Sequence, residues 1–129
     1  MPVLKTVDID GRGRGHYLIG QIDHNISNEE IVIAANSGDL KAGTILGKVT
    51  ATGQYAPYDP AAVDGTEDAT EAVILYADAA DSAATQKSVA TVRDVGVNGN
   101  ALTWVNAVTT PQREAVEAGC AARSLLVRY

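Results

Sequence analysis

A chain of 129 residues, 46% hydrophobic and 20% charged, has the length of one domain and enough apolar content for a core. No run approaches the roughly 18 apolar residues of a membrane helix, and no basic stretch followed by an apolar one opens the chain as a secretory signal. The formal net charge of −6 argues against a general nucleic-acid binder, and the single cysteine, Cys120, makes neither an internal disulfide nor a zinc site alone, which fits synthesis in a reducing cytoplasm.

There is no Phe and one Trp, so the core must be built from Val, Ile, Leu and Ala. Twelve glycines punctuate the chain. This is the composition of a turn-rich β protein.

Taken in chain order, Val3, Lys5, Val7 and Ile9 share one parity of a strand-competent stretch, and Gly11-Arg12-Gly13-Arg14-Gly15 follows. Three glycines in five residues hold no helix and lose much entropy on ordering. Residues 1–16 are therefore expected to form a flexible N-terminal arm, and 17–129 the folded domain. The arm is either a frayed terminus or a strand that orders against a partner's sheet edge.

Glu30 to Ala34 predicts a strand, ended by the turn residues Asn36-Ser37-Gly38-Asp39. Leu40 to Val49 predicts the next, with Ile45 and Gly47 on one face and Thr44, Leu46 and Lys48 on the other. Tyr55-Ala56-Pro57-Tyr58 reads as a short edge-like strand, because Pro57 cannot donate to a ladder. Asp59 to Thr70 is a loop, and the apolar run within Glu71 to Ala77 is a buried central strand. Ser88 to Val97 alternates and reads as one strand, with Asn98-Gly99 as a hairpin turn into Leu102-Thr103-Trp104-Val105. One helix is well signalled: Thr109 or Thr110 caps it, Pro111 suits its first turn, and Gln112 completes a capping box if Thr109 is the cap. Ala115, Val116, Gly119, Cys120 and Ala122 give it a narrow small-residue face suited to a sheet, and Arg123 lies near its negative end. Ser124 to Arg128 closes the chain as a strand.

Charge is unevenly placed. Residues 49–86 carry Asp59, Asp64, Glu67, Asp68, Glu71, Asp78 and Asp81 and no basic residue. An exposed acidic surface follows.

Chemistry-bearing patterns are few. His16 and His24 are the only histidines, and no third ligand stands at a metal-site spacing. Cys120 has no neighbouring base and reads as a small buried hydrophobe. The glycine-arginine stretch lacks the following helix of a dinucleotide fingerprint, and the acidic loop lacks the spacing of a calcium loop. No cofactor, metal or catalytic residue is expected. Trp104 belongs either to the core or to an interface.

Together, Leu40-Lys41-Ala42-Gly43-Thr44-Ile45-Leu46-Gly47, then Tyr55-Ala56-Pro57-Tyr58-Asp59-Pro60 continuing to Glu67, then Ala72-Val73-Ile74-Leu75-Tyr76, resemble the lambda-type head decoration proteins of tailed bacteriophages. Val89 to Asp94, Leu102 and Trp104, and the closing helix with Leu126-Val127-Arg128 continue the pattern over about residues 30–129. The segment 1–29 departs from that pattern in length and content.

The resemblance implies a mainly β fold, mixed β with one or two short helices, in a β-clip-like or β-barrel-like single domain with an extended N-terminal arm. It implies a non-enzymatic structural protein on the outer surface of the phage head, assembled in the host cytoplasm. Its partners would be the major capsid protein and itself, as a homotrimer at threefold and quasi-threefold sites, with no nucleic acid and no membrane. It would stabilise the expanded head against internal DNA pressure. The acidic loop would face outward. Expected capsid contacts are Val3, Lys5, Val7, Ile9, Arg12, Arg14 and Tyr17, with Trp104 at an interface. The rival readings are a β-clip or carrier-like binding module, suggested by Leu40 to Gly47, and a small sugar-acid-type enzyme. The first lacks a lysine at the Asn98-Gly99 turn, and the second has only two histidines to build on.

Overall fold

Strand-forming runs that alternate between two apolar destinations organise the molecule. The computed structural model describes residues 14–21 and 24–129. In chain order these form β1 (Leu18–Gln21), the one-turn α1 (His24–Ser27), β2 (Asn28–Ile33), β3 (Ile45–Lys48), β4 (Tyr55–Pro57), β5 (Val73–Leu75), β6 (Gln86–Thr91), β7 (Val95–Asn98), α2 (Thr110–Ala121) and β8 (Leu125–Arg128), with 3-10 turns at Ala69–Glu71 and Gly99–Ala101. Five strands close a barrel in the order β2-β4-β3-β5-β6, and three form an open sheet in the order β1-β7-β8. The architecture is mainly β in one domain, with a single long helix among the described residues.

Two apolar clusters explain why β3 and β5 are apolar on both faces. Leu46, Val73 and Leu75 point into the barrel with Ile31, Ile33, Ala90 and Val92. Ile45 and Ile74, their neighbours in sequence, point out of it into a second cluster with Val95, Val97, Leu125 and the helix residues Val116 and Cys120. A strand buried on both faces reads as a continuous run, and residues 72–76 do.

Three sequence expectations are corrected. The stretch Tyr55 to Pro57 is short but is no edge: β4 lies between β2 and β3. Its pairing to β2 rests on Ile33 opposite Tyr55, so nothing on that side requires an N–H from Pro57. Ser88 to Val97 is two strands in two sheets. Asp94 adopts a φ of 54°, and that bend carries the chain from β6 in the barrel to β7 in the open sheet. The Asn98-Gly99 hairpin does not form. β7 already has β1 on one side and β8 on the other, so it has no room for a hairpin partner. Asn98 instead caps the 3-10 turn, its side chain accepting the Asn100 N–H. Beyond that turn, Thr103 bridges in parallel to Thr44.

The helix forms as its local signals dictate. The Thr109 hydroxyl accepts from the Gln112 N–H, and the Gln112 side chain accepts from the Thr109 N–H at 2.8 Å. Val116 and Cys120 are buried, while Ala115 and Ala122 are exposed. Gly119 packs against the 3-10 turn at Ala69 rather than on a sheet: a Cβ there would lie 2.5 Å from the Ala69 carbonyl oxygen.

Candidate capsid-binding site and its anchor

The expected arm meets the body at residues 14–17. Val3, Lys5, Val7, Ile9 and Arg12 lie outside the described residues. Arg14 is exposed. Gly15 is held to the end of β5, its N–H donating to the Tyr76 carbonyl at 3.0 Å. Its φ is 60°, and a Cβ would stand 2.9 Å from the Tyr76 ring, so glycine is required twice over at this point. The Gly15 carbonyl accepts the Leu18 N–H in a tight turn.

His16 packs beside Gly43, with its Nε2 3.2 Å from the Ala101 carbonyl oxygen. An acceptor facing that nitrogen requires it to carry the proton. The bond ties residue 16 to the 3-10 turn after β7, so this histidine belongs to the fold.

Tyr17 is corrected from a surface contact to a core residue. It is fully buried. Its hydroxyl lies 2.6 Å from Thr91 Oγ1, and Thr91 Oγ1 donates to Asn28 Oδ1 at 2.7 Å. Since Thr91 has one proton and spends it on Asn28, Tyr17 donates to Thr91. The relay joins the turn before β1 to β6 and β2 of the barrel. Burial pushes the Tyr17 hydroxyl well above its ordinary pKa, against the smaller downward pull of the Thr91 hydrogen bond. A tyrosine after a glycine-rich stretch has no local periodicity to mark it as core, so sequence reasoning groups it with the arm.

Trp104 is half-buried against the second apolar cluster. Its indole meets the Tyr58 ring edge-on, with centroids 6.0 Å apart, and the Arg113 guanidinium carbon stands 5.7 Å from its centroid. Arginine over indole is a favourable cation–π contact. Nearby, the Tyr129 hydroxyl donates to Glu117 from the exposed C-terminal end.

The acidic loop is rigidly built. Asp64 accepts from both the N–H and the hydroxyl of Thr66, and Asp68 does the same with Thr70. The threonine hydroxyl bonds hold both carboxyls below their usual range. The loop lies tight on β3: a Cβ on Gly47 would be 2.4 Å from the Thr66 carbonyl oxygen, and one on Gly65 would be 2.2 Å from Thr50 Oγ1. The carboxylates therefore cap turns, and Val63 among them is 95% exposed.

Arg123 has a role that the sequence hides. Its position at the end of the helix suggests a partner for the dipole. Its guanidinium instead bonds backbone flanking two barrel strands, with Nη1 donating to the Val92 carbonyl after β6 at 3.1 Å and Nη2 to the Ala72 carbonyl before β5. Cys120 beside it is buried, and desolvation raises its thiol pKa. A thiol held neutral is a poor nucleophile.

Among the described residues, no three His, Cys, Asp or Glu gather as a metal site, and no helix is long and apolar enough to cross a membrane. An open groove of about 420 Å³ runs past Ala34, Pro57, Asp59, Thr66 and Val105. Asp59 at its rim binds the Ala61 N–H within its own loop.

The sequence model of the family described as "Bacteriophage lambda head decoration protein D" matches residues 9–125. The chain belongs to this family. No curated protein matches the chain at a significant level. Membership makes it a phage head decoration protein, structural rather than enzymatic, of the capsid surface. The matched span runs through Gly15 and Tyr17, the acidic loop and the helix.

Proposed function

We propose that this protein cements the expanded phage head as a homotrimer at threefold and quasi-threefold positions, clamping neighbouring major capsid subunits against the pressure of packaged DNA. The observation that carries the reading is the anchor. Gly15 and Tyr17 tie the chain to the barrel through the Tyr76 carbonyl and the Thr91–Asn28 relay, directly after the strand-competent residues Val3, Lys5, Val7 and Ile9 and the arginines Arg12 and Arg14. Those six are the proposed capsid contacts. An arm that adds as a strand to a capsid-protein sheet gains main-chain hydrogen bonds. A load on that arm is passed into a closed barrel instead of a frayed end. Three arms on one trimer raise each other's effective concentration at the site. Trp104, with Arg113 over its ring, is the proposed interface residue of the body. The acidic loop faces outward, away from DNA, and assembly takes place in the host cytoplasm.

The test is co-sedimentation with expanded and unexpanded heads of the parent phage, comparing the full chain with a 14–129 form that keeps the anchor. Saturable binding to expanded heads alone, weakened in the 14–129 form, is expected. Equal binding by both forms moves the contact into the body, and binding by neither to either head form overturns the cementing role.

A further inference from the structure

Asn98 ends β7 at the surface and is followed by the buried Gly99. The pair carries hairpin chemistry that the fold does not use. The Asn98 carboxamide oxygen accepts the Asn100 N–H at 3.0 Å instead. The loop of atoms closed by that bond contains both the Asn98 carboxamide carbon and the Gly99 nitrogen, so the carboxamide is folded over the nitrogen that follows it. A donor to the carboxamide oxygen also draws charge from its carbon, as in an oxyanion site. The chain has six asparagines, and Asn98 is the one followed by glycine. Glycine leaves its own nitrogen unshielded and gives the backbone freedom that ring closure needs. The other five precede Ile26, Glu29, Ser37, Ala101 and Ala107, all with side chains. Asn36, before Ser37, is the nearest rival, and its backbone is committed to the left-handed region at a φ of 59°.

We propose that Asn98 is a site of self-modification, where the side-chain amide becomes a carboxylate through a cyclic imide. The Gly99 nitrogen gives its proton to hydroxide and attacks the Asn98 carboxamide carbon. The bond from that carbon to the amide nitrogen breaks, and ammonia leaves with a proton from water. Water then adds at the same carbon, the new bond to the Gly99 nitrogen breaks, and the peptide is restored. One water is consumed, one ammonia is released, and nothing is oxidised or reduced. The step needs no enzyme and no cofactor.

The fold accommodates the aspartyl product. A carboxylate accepts the Asn100 N–H as well as the amide does. The register of β7 and β8 sets residue 98 opposite the exposed Arg128, and opposite charges on adjacent strands attract. Opening the imide at its other carbonyl gives an isoaspartyl linkage, which lengthens the main chain by one atom. That has no room here. The Asn98 N–H is bonded to the Tyr17 carbonyl at 2.7 Å, and a Cβ on Gly99 would stand 2.5 Å from the Tyr129 ring. The same ring sets the pace. Imide formation turns the peptide away from the extended ψ of 109° at Asn98, so Tyr129, whose hydroxyl donates to Glu117, must first lift from Gly99.

The test incubates the full chain, folded and in urea, at neutral and mildly alkaline pH. Mass spectrometry with fragmentation follows the tryptic peptide 94–113, which holds Asn98, Asn100 and Asn106, and the peptides that hold the other three. The folded chain is expected to convert at Asn98 ahead of every other asparagine, faster at the higher pH, and mainly to the aspartyl form. Conversion confined to the urea sample, or appearing first elsewhere, overturns the site. A mainly isoaspartyl product from the folded chain overturns the accommodation by Asn100 and Arg128. Tyr129→Ala is expected to speed conversion severalfold, with Tyr129→Phe, which frees the ring from Glu117, in its place if the alanine variant does not fold. An unchanged rate overturns the gate. Asn98→Asp is expected to melt no lower than the wild type and to lose any advantage at high salt, and a lower melting temperature at low salt overturns the accommodation.

Discussion

The closed barrel and the open sheet with its helix are built from the same aliphatic residues but finish their hydrogen bonding differently. In the barrel every strand has two neighbours, its interior is lined by Ile, Val, Leu and Ala with Tyr55 packed against it, and its acidic loop is pinned by threonine-carboxylate turns. In the open sheet a pair of strand edges has no partner among the described residues, the polar anchors are long-range, and Tyr17, Tyr58 and Trp104 fill the volume. The difference teaches that one region is suited to bear load and the other to make contacts. Closure removes the edges on which strands associate. An open sheet retains them.

Five substitutions sharpen or break that comparison. The largest effect is expected inside the barrel. Leu46→Ala removes a fully buried side chain and should cost about 3–4 kcal/mol in urea denaturation of the monomeric chain, whereas Leu126→Ala, on the open edge, should cost under about 0.5 kcal/mol in the same monomer. Similar costs for the two would erase the distinction.

Next comes the link between the regions. Arg123→Met leaves the Val92 and Ala72 carbonyls without their charged donor and should cost about 2–3 kcal/mol. If the barrel and the open sheet are held together mainly by this bridge, the variant's tryptophan fluorescence, reporting Trp104, should change ahead of its far-ultraviolet dichroism. Coincident transitions would show the apolar cluster to be the stronger link.

Tyr17→Phe comes third. It deprives Thr91 of the hydroxyl that donates to it and should cost about 1–2 kcal/mol. Its pH dependence has a definite sign. Burial raises the folded-state pKa of Tyr17 above its ordinary value near 10. The unfolded chain therefore releases this proton first, and stability falls as pH rises beyond about 10. Below that value the contribution is complete. The Phe variant should show a shallower alkaline decline in a denaturation series from about pH 8 to 11, and an unchanged slope would remove Tyr17 as its source.

The smallest expected effect is at the helix start. Thr109→Ala breaks the capping box and should lower stability by about 1 kcal/mol, with amide exchange rising first in residues 110–113. Uniform exchange across α2 would show the helix to be held by Val116 and Cys120 alone.

Much of the fold was legible where the signal is local. A threonine, a proline and a glutamine at the right spacing specify the start of α2, because the groups that satisfy one another lie within four residues. The run Val73-Ile74-Leu75 announces a strand buried on both faces, since no polar position interrupts it. The turn at Gly38 follows from a backbone conformation that glycine adopts freely. Residue type leaves Trp104 between core and interface, and the structure half-buries it.

The rest depends on partners distant in the chain. Whether Ser88 to Val97 is one strand or two is decided at Asp94, where the chain leaves one sheet for another, and the alternation on either side is the same. Pro57 reads as an edge signal until the pairing with β2 is seen to stop at Tyr55. Asn98-Gly99 carries hairpin chemistry, but β7 has both sides occupied, so the same residues build a 3-10 turn instead. Tyr17 and Arg123 look like an arm residue and a helix-end charge. Their roles lie 74 residues away at Thr91 and 51 residues away at Ala72. The sequence by itself determined the β class, the helix and the acidic loop, because propensity, capping and charge act over a few residues. Only the tertiary structure decided which strands close and which stay open, because strand pairing is a choice among distant segments that the pattern of any one segment leaves undetermined.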